Sequence, residues 1–212
     1  MNDGPRPYRS SLREDQARAT RRRIVEVGHD LFAEQGYAAT TVDAIAARAG
    51  VSRRTVFTSV GGKAAVLKLA WDWTLAGDDE PVPIADRLAV HAMQAETDPV
   101  RLVSAWARFQ AEIALRLVRL YDVLVIAADS DAEAAAQLEV AERNRLGGSR
   151  AFVEHLAGIG GLRPGLDVDR GTQVAAVLMD PMPARRLVHD GGWSVAEYVA
   201  YVERVAAAAL LP

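Results

Sequence analysis

The sequence contains no cysteine, only two lysines and no long apolar run. Without cysteine, the chain can form no disulfide, no thiolate metal site and no thiol redox switch. Half of the residues are apolar, yet no run approaches the roughly 20 residues that a membrane-spanning helix needs. The first 15 residues also lack the apolar segment of a secretory signal. We therefore expect a cytoplasmic protein that does not associate with a membrane.

Motifs for metal, phosphate or nucleophile chemistry are missing as well. The four histidines, His29, His91, His155 and His189, are scattered and form no metal-binding spacing. The glycine-rich stretch at 158–165 lacks the lysine of a phosphate-binding loop and a strand before it, so it is typical of a turn. No G-x-S-x-G elbow occurs. The sequence thus predicts no metal, no cofactor and no catalytic residue.

Charge is divided unevenly along the chain, although the net charge is only −3. Residues 1–63 contain 11 Arg and Lys against 7 Asp and Glu, a balance of +4, whereas residues 64–212 contain 14 against 21, a balance of −7. A basic first part attracts phosphate and an acidic remainder repels it. An ordinary solvated surface can also give this pattern, so it is supporting evidence only.

Residues 40–63 have the pattern of two short helices joined by a tight turn. Apolar residues recur at helical spacing on one side of the first helix: Val42, Ile45, Ala46 and Ala49. Thr40 or Thr41 can cap its start, and Gly50 can end it in the left-handed conformation. Ser52 can then cap a second helix that begins at Arg53. These are the parts of a helix-turn-helix, which we predict at about 41–60.

The second of these helices carries side chains suited to a DNA groove. Arginine can bind guanine through two hydrogen bonds, and hydroxyls reach phosphates or base edges. Phe57 can contact a thymine methyl group or a sugar, or it can pack against the first helix of the chain. Val51 and Val56 are expected to point inward. The residues predicted to contact DNA in this region are Thr41, Ser52, Arg53, Arg54, Thr55, Phe57, Thr58 and Ser59.

A first helix is predicted from about Asp15 to Gln35, with Gly36 ending it. Its inner stripe is expected to consist of Ile24, Val27, Leu31 and Phe32. Arg22 and Arg23 near its start are either phosphate contacts or ordinary surface arginines. The preceding arm, with Arg6, Arg9 and Arg13, has the composition of a solvated tail, and minor-groove binding is the alternative.

The run Gly50–Phe57 together with Lys63 resembles the DNA-binding signature of TetR-type bacterial transcriptional repressors. The sequence departs from the family pattern at Phe57, Ser59, Val60, Gly62 and Ala64, while the helix spacing is kept. The resemblance implies that Lys63, at the start of the next helix, binds a phosphate. It also implies a homodimer whose second domain binds a small-molecule effector and is coupled to the DNA-binding helices.

Beyond residue 63 the pattern is helical throughout. Breaker residues and periodicity divide it into helices at about 63–76, 84–96, 100–128, 132–158, 169–179, 180–189 and 194–210. The last helix has a continuous apolar stripe of small and β-branched residues with one tyrosine, namely Val195, Tyr198, Val199, Val202, Val205, Ala206 and Ala209. We expect this stripe and the helices at 169–189 to form a dimer interface, in which the helices of two chains make a four-helix bundle. The alternative is that the stripe covers the chain's own core.

The fold class we expect is all-α, with a three-helix DNA-binding domain at 1–64 and a helical ligand-binding and dimerisation domain at 65–212. Aromatic residues and methionines of the second domain are candidate pocket residues, although plain core is the alternative. They are Met93, Trp106, Phe109, Tyr121, Phe152, Leu156 and Met179. We predict a sequence-specific regulator that binds double-stranded operator DNA as a homodimer and is released by an unidentified small molecule. A helical carrier or enzyme with a vestigial DNA-binding region, and a ligand-insensitive architectural DNA binder, are the alternatives.

Overall fold

A computed structural model describes residues 8–212, with side chains from residue 13 onward. The predicted arm residue Arg6 and the side chain of Arg9 therefore lie outside the described residues. Within residues 8–212 the secondary structure is helical, without strands, which confirms the all-α prediction. No helix there is long and apolar enough to cross a membrane. The helices are α1 (Tyr8–Ala39), α2 (Val42–Ala49), α3 (Arg53–Ser59), α4 (Lys63–Ala76), α5 (Leu88–Ala95), α6 (Pro99–Ala128), α7 (Ala132–Gly158), α8 (Val168–Leu178), α9 (Met182–Ala184) and α10 (Val195–Leu210).

The chain forms two compact units, one of residues 1–72 with 122–136 and the other of residues 73–121 with 137–212. The predicted domain boundary after residue 64 falls near the start of α4. The first unit continues to residue 72 and so contains most of this helix. The first unit also takes in the end of α6, the start of α7 and the turn between them. The division of function between residues 1–64 and 65–212 stays a prediction.

The core of the first unit forms between α1, the two helices of the helix-turn-helix, and α4. Its largest fully buried side chains include Ile24, Phe32, Ile45 and Leu67. The predicted stripe of α1 is buried except for Val27, which is half-buried, and the neighbouring Val25 is buried in addition. A methyl group at Gly28 would lie 2.3 Å from Val66 Cγ1. Glycine at this position therefore lets α1 and α4 approach closely.

The core of the second unit is formed by α6, α7, α8 and α10. Buried residues of this cluster include Trp106, Phe152, Leu156 and Tyr198. Along α10 the buried positions are Tyr198, Val202, Ala206 and Leu210, which follow one another at intervals of four. Ser194 and Glu197 form a reciprocal capping box at its start. The predicted apolar stripe thus covers the chain's own core along this line.

Three predicted helices differ from the structure. The first begins at Tyr8 rather than near Asp15. The helix expected at 84–96 is a 3-10 turn (Ile84–Asp86) followed by α5, because Arg87 has an extended backbone and its guanidinium donates to Asp78 and to the Val82 carbonyl. The helix expected at 180–189 is the short α9 followed by a π-helical turn, Arg185–Asp190. Pro181 and Pro183 lack the N–H groups that a regular helix requires there.

Candidate nucleic-acid interface

The structure contains the predicted helix-turn-helix with its expected caps. The Thr41 hydroxyl accepts a hydrogen bond from the Ala44 amide at 3.1 Å, and Ser52 Oγ accepts one from the Thr55 amide at 3.0 Å. Gly50 lies between the two helices in the left-handed conformation, with φ of 65°. In α3 only Val56 is fully buried. Val56 packs into the core of the first unit, and four of the other six side chains of α3 are exposed.

The outer surface of α3 combines positive charge, hydroxyls and an aromatic ring. Arg53, Arg54 and Thr58 are exposed, whereas Thr55 and Ser59 are half-buried. Phe57 is 47% exposed, so about half of this residue is open to a partner. Cations that can form two hydrogen bonds, hydroxyl groups and an apolar ring are the groups that contact base edges and thymine methyl groups in the major groove.

Arg53 already has two partners in the free protein. Its Nη1 donates to Asp43 Oδ2 of α2 at 2.6 Å, and its guanidinium carbon lies 5.5 Å from the centre of the Phe57 ring. Both side chains of the ion pair are mostly exposed. Such pairs contribute roughly 0.2–1 kcal/mol. DNA phosphates or bases can therefore replace Asp43 at small cost.

The hydroxyl groups of this surface keep hydrogen-bonding capacity despite their caps. A hydroxyl has one donor and two acceptor lone pairs, and the caps of Thr41 and Ser52 use only lone pairs. Ser52 Oγ and Thr55 Oγ1 are 2.8 Å apart, so one of the two donates to the other. Thr58 donates to the Arg54 carbonyl at 3.0 Å. Thr41 and one member of the Ser52–Thr55 pair retain a donor for a phosphate.

Lys63 lies at the start of α4, where its ammonium contacts Tyr37. Lys63 Nζ donates to the Tyr37 carbonyl at 3.0 Å and lies 3.8 Å from the centre of the Tyr37 ring. An ammonium group has three donors, so this bond leaves two for a phosphate. The Tyr37 hydroxyl in turn donates to Asp131 Oδ2 at 2.5 Å. Lys63 is thus held at a defined position beside the helix-turn-helix.

The remaining predicted DNA contacts lie on α1. The side chains of Arg22 and Arg23 are both exposed. Further along, Glu34 of α1 binds Arg48 of α2 through two hydrogen bonds of 2.6 and 2.8 Å. This two-bond contact lowers the pKa of Glu34 from its ordinary value. It fixes α2 against α1, so the α3 surface is carried on a connected support.

Sequence reasoning did not identify Tyr37, Asp43 or Asp131 as parts of this region. Asp43 lies ten residues before Arg53, and the turn between α2 and α3 brings the two side chains together. Gly36 was predicted to end the first helix, but α1 only kinks there, at φ of 77°, and continues to Ala39, so Tyr37 lies directly after the kink. Asp131 is 94 residues from Tyr37 in sequence. No local pattern indicates a contact over that separation.

The candidate pocket residues divide into two groups in the second unit. Trp106, Phe152 and Leu156 are buried in the core cluster, and Met93 and Met179 pack against it. The Trp106 and Phe152 rings stack at 4.2 Å with an angle of 6°. Phe109 and Tyr121 lie outside this cluster. An open depression of about 410 Å³ is found elsewhere, lined by Val100, Arg101, Ser104, Ala105 and Arg108 of α6.

Comparisons with known proteins agree with this architecture. The sequence model for bacterial regulatory proteins of the tetR family matches residues 24–70. No curated protein matches the chain. One solved structure that resembles it is the fatty acid degradation regulator FadR from Bacillus halodurans, with 16% sequence identity, coverage of 97% of this chain and 96% of that chain, and a TM-score of 0.66. Another is SmeT, the repressor of the Stenotrophomonas maltophilia multidrug efflux pump SmeDEF, with 21% identity, coverage of 92% of each chain and a TM-score of 0.65. A structure described as a transcriptional regulator from Saccharomonospora viridis in complex with choline is also similar (16%, 91% and 97%, 0.68).

The family match covers α2 and α3 completely, together with all of α1 after Arg23 and the first eight residues of α4. The structural matches extend over nearly the whole chain, which shows that the second unit shares the fold of these regulators. Residues 24–70 of this chain therefore match the sequence model of the tetR family of bacterial regulatory proteins, and the chain as a whole has the fold of the solved structures that resemble it.

Proposed function

We propose that this protein is a repressor that binds operator DNA as a homodimer and is released by a small molecule. The observation that carries the proposal is the α3 surface, where Val56 alone is fully buried while Arg53, Arg54, Phe57 and Thr58 are exposed. A helix that packs against α1 and α2 on its inner side, with cationic and hydroxyl groups outside, fits the major groove.

Contacts to the DNA divide by chemistry. Arg54 and Thr55 are the proposed base readers, since both belong to α3 and carry groups that distinguish base edges. The proposed phosphate contacts are Lys63, Arg22, Arg23 and the cap hydroxyls of Thr41 and Ser52. Contacts to phosphates position the protein on the duplex and do not read the base sequence. The balance of +4 over residues 1–63 favours approach to DNA by this part of the chain.

A homodimer through α8 and α10 is supported by the apolar side chains that these packed helices leave exposed. Val177 of α8 is 66% exposed and Val195 of α10 is 55% exposed. Readers of this type bind two half-sites about 34–36 Å apart, one turn of DNA, and so require two copies of the helix. The symmetric pairing of one surface is the commonest way to form such a dimer.

The effector is proposed to bind at the core cluster of the second unit, near Trp106, Phe152 and Met179. Among the described residues, the buried Tyr198 hydroxyl of this cluster has no hydrogen-bond partner. An unpaired hydroxyl in an apolar cluster is suited to one polar group on a mainly apolar molecule. The effector can release DNA only if it binds the non-binding conformation more tightly than the DNA-binding one.

The test is selection of duplexes by the purified chain from a random pool and from fragments of its own genome. We expect enrichment of a palindromic sequence and tight binding of that duplex. Choline and triclosan, which are bound in two of the similar structures, are suitable first effector probes. Failure to enrich any sequence over random DNA would contradict the proposal.

Lys63→Ala tests the phosphate assignment. Binding should weaken on selected and random duplexes alike, and the slope of log affinity against log salt should fall by about one. Lys68→Ala is the matched control, because Lys68 is the chain's other lysine and pairs with Asp72 on α4 at 2.6 Å. An unchanged slope in Lys63→Ala would remove Lys63 from the phosphate contacts.

A further inference from the structure

Tyr37 connects three segments of the first unit that are far apart in sequence. Its carbonyl accepts from Lys63 Nζ at 3.0 Å, its ring faces the same ammonium at 3.8 Å, and its hydroxyl donates to Asp131 at 2.5 Å. The side chain is only 4% exposed. One residue therefore contacts both a proposed phosphate-binding group and the turn between α6 and α7.

The backbone around Tyr37 is fixed by local hydrogen bonds. Gly36 adopts φ of 77°, which turns the chain away from the helix axis. Thr40 Oγ1 donates to the Gly36 carbonyl at 2.8 Å, and the Thr40 amide donates to the Tyr37 carbonyl at 3.2 Å. The Tyr37 ring also stacks on Phe32, with centroids 5.8 Å apart. A displacement of Tyr37 would therefore be passed on to residue 40, directly before α2.

Asp131 has a double role at the start of α7. Its Oδ1 accepts from the amides of Glu133 and Ala134 at 2.9 and 3.2 Å, which caps the helix. Its Oδ2 accepts from Tyr37. The helices α6 and α7 meet at this turn, and both continue into the second unit, where α6 begins and α7 ends. A movement along either helix would act on Asp131 and, through it, on Tyr37.

We infer that the Tyr37–Asp131 hydrogen bond is a latch through which the α6–α7 turn sets the position of Lys63 and of the helix-turn-helix for DNA binding. The inference rests on the proposed function and names the contact that would carry its regulation. Tyr37 and Asp131 are positioning residues, since neither is proposed to touch DNA. The hydrogen bond from Tyr37 lowers the pKa of Asp131, and burial raises the pKa of the Tyr37 phenol. Both shifts keep the phenol protonated and the carboxylate charged at neutral pH.

Tyr37→Phe breaks the latch and Asp131→Asn weakens it, each with little other change. Phenylalanine keeps the ring beneath Lys63, the stacking on Phe32 and the backbone carbonyl, and loses only the donor. Asparagine caps a helix about as well as aspartate, but it lacks the charge that strengthens the bond. Asp129→Asn is the matched control, because it removes an exposed charge from the same turn.

Affinity for the selected duplex should fall about five- to tenfold in Tyr37→Phe and in Asp131→Asn, within the usual range of coupling between sites. The double variant should fall no further than Tyr37→Phe alone, because the hydrogen bond is already lost in that single variant. Unfolding by heat is recorded for every variant, and affinity is measured where all are folded. Single variants within twofold of Asp129→Asn, or losses that multiply in the double variant, would overturn the inference.

Amide hydrogen exchange of the free protein tests the latch without DNA. In Tyr37→Phe, amides of residues 40–63 and of 132–136 should both exchange about five- to tenfold faster than in the native chain, since the bond that connects them is lost. Faster exchange at residues 36–38 alone would overturn the inference. If the native chain selects no duplex, the proposed function fails, while the exchange experiment still decides on the latch.

Discussion

Arg53 begins α3 and lies between two partners, the Asp43 carboxylate and the Phe57 ring. Asp43 binds Arg53 in the way that a negatively charged group of DNA would. It also places a negative charge beside the residues that are proposed to contact DNA. The free protein therefore holds Arg53 in an ordered position, and it does so at the expense of some attraction for DNA.

Asp43→Asn should strengthen binding to all duplexes. Removing the carboxylate frees Arg53 from an exposed ion pair worth up to about 1 kcal/mol, so affinity should rise by up to about fivefold. Titration of the selected duplex and of a random duplex measures the change. Asp72→Asn, which breaks the exposed Lys68 pair on α4, is the control and should have a smaller effect. Weaker binding of Asp43→Asn would mean that the pair preorganises Arg53.

Tyr198 is the second residue whose chemistry is unusual. It is completely buried, burial raises its pKa to about 12, and within residues 13–212 nothing accepts or donates a hydrogen bond at its hydroxyl. A buried polar group without a partner costs about 1–3 kcal/mol. A chain selected only for stability would carry phenylalanine here.

Tyr198→Phe should raise the free energy of unfolding by about 1 kcal/mol, because it removes an unpaired buried hydroxyl and leaves the ring in place. Denaturant unfolding measures the change, and the half-buried Tyr201→Phe serves as the control. If Tyr198 binds a polar group of the effector, the same variant should bind the effector more weakly. A loss of stability in Tyr198→Phe would show that the hydroxyl has a partner in the folded protein.

At the scale of helices, the ends in the helix-turn-helix and the start of α10 were predictable from cap residues, whereas Asp167, which caps α8, was not identified. Thr41, Gly50, Ser52 and Ser194 cap or end helices as expected from their residue types alone. The long continuous α7 also follows the predicted span, although Gly147 and Gly148 weaken it. Caps and apolar periodicity depend on residues that are close together in the sequence, so both can be predicted from a single sequence.

Features that depend on distant parts of the chain were not predictable. The break at Arg87 depends on Asp78, and the position of Tyr37 depends on Asp131. The buried line of α10 was visible as periodicity, but its partner was not, since the same stripe fits a dimer or a core. Similarly, Trp106 and Phe152 could be named as aromatic candidates, whereas their stacking arises only in the folded unit.

A pair of helical glycines tests how helix packing determines stability. Gly28→Ala places a methyl group 2.3 Å from Val66 Cγ1 and should lower the free energy of unfolding by about 1–3 kcal/mol through overpacking. Gly147→Ala on α7 meets no atom within 4 Å and should raise it by up to about 1 kcal/mol through helix propensity. Denaturant unfolding of both variants measures the difference. Equal effects would contradict the close approach of α1 and α4.

At the scale of the whole molecule, the proposed dimer depends on apolar surface that one chain cannot bury. Val177→Glu changes a side chain that is 66% exposed in the single chain, so the fold should tolerate it. A charge in the dimer interface has no partner and should separate the chains. Sedimentation should give two chains of 22.9 kDa for the native protein and one for the variant.

Val140→Glu on α7 is the control for this change, since Val140 is 44% exposed and lies outside α8 and α10. It should sediment as the native dimer does. Loss of the dimer in Val140→Glu, with a dimer retained in Val177→Glu, would place the interface on another surface of the chain.

The account as a whole requires two copies of α3 on one duplex. Native mass spectrometry of the protein with its selected duplex counts the chains directly. We predict complexes with an even number of chains on a palindrome, two per pair of half-sites, and none that persist on a scrambled duplex of equal length. A single chain on the selected duplex, or equal binding to the scrambled one, would contradict the account.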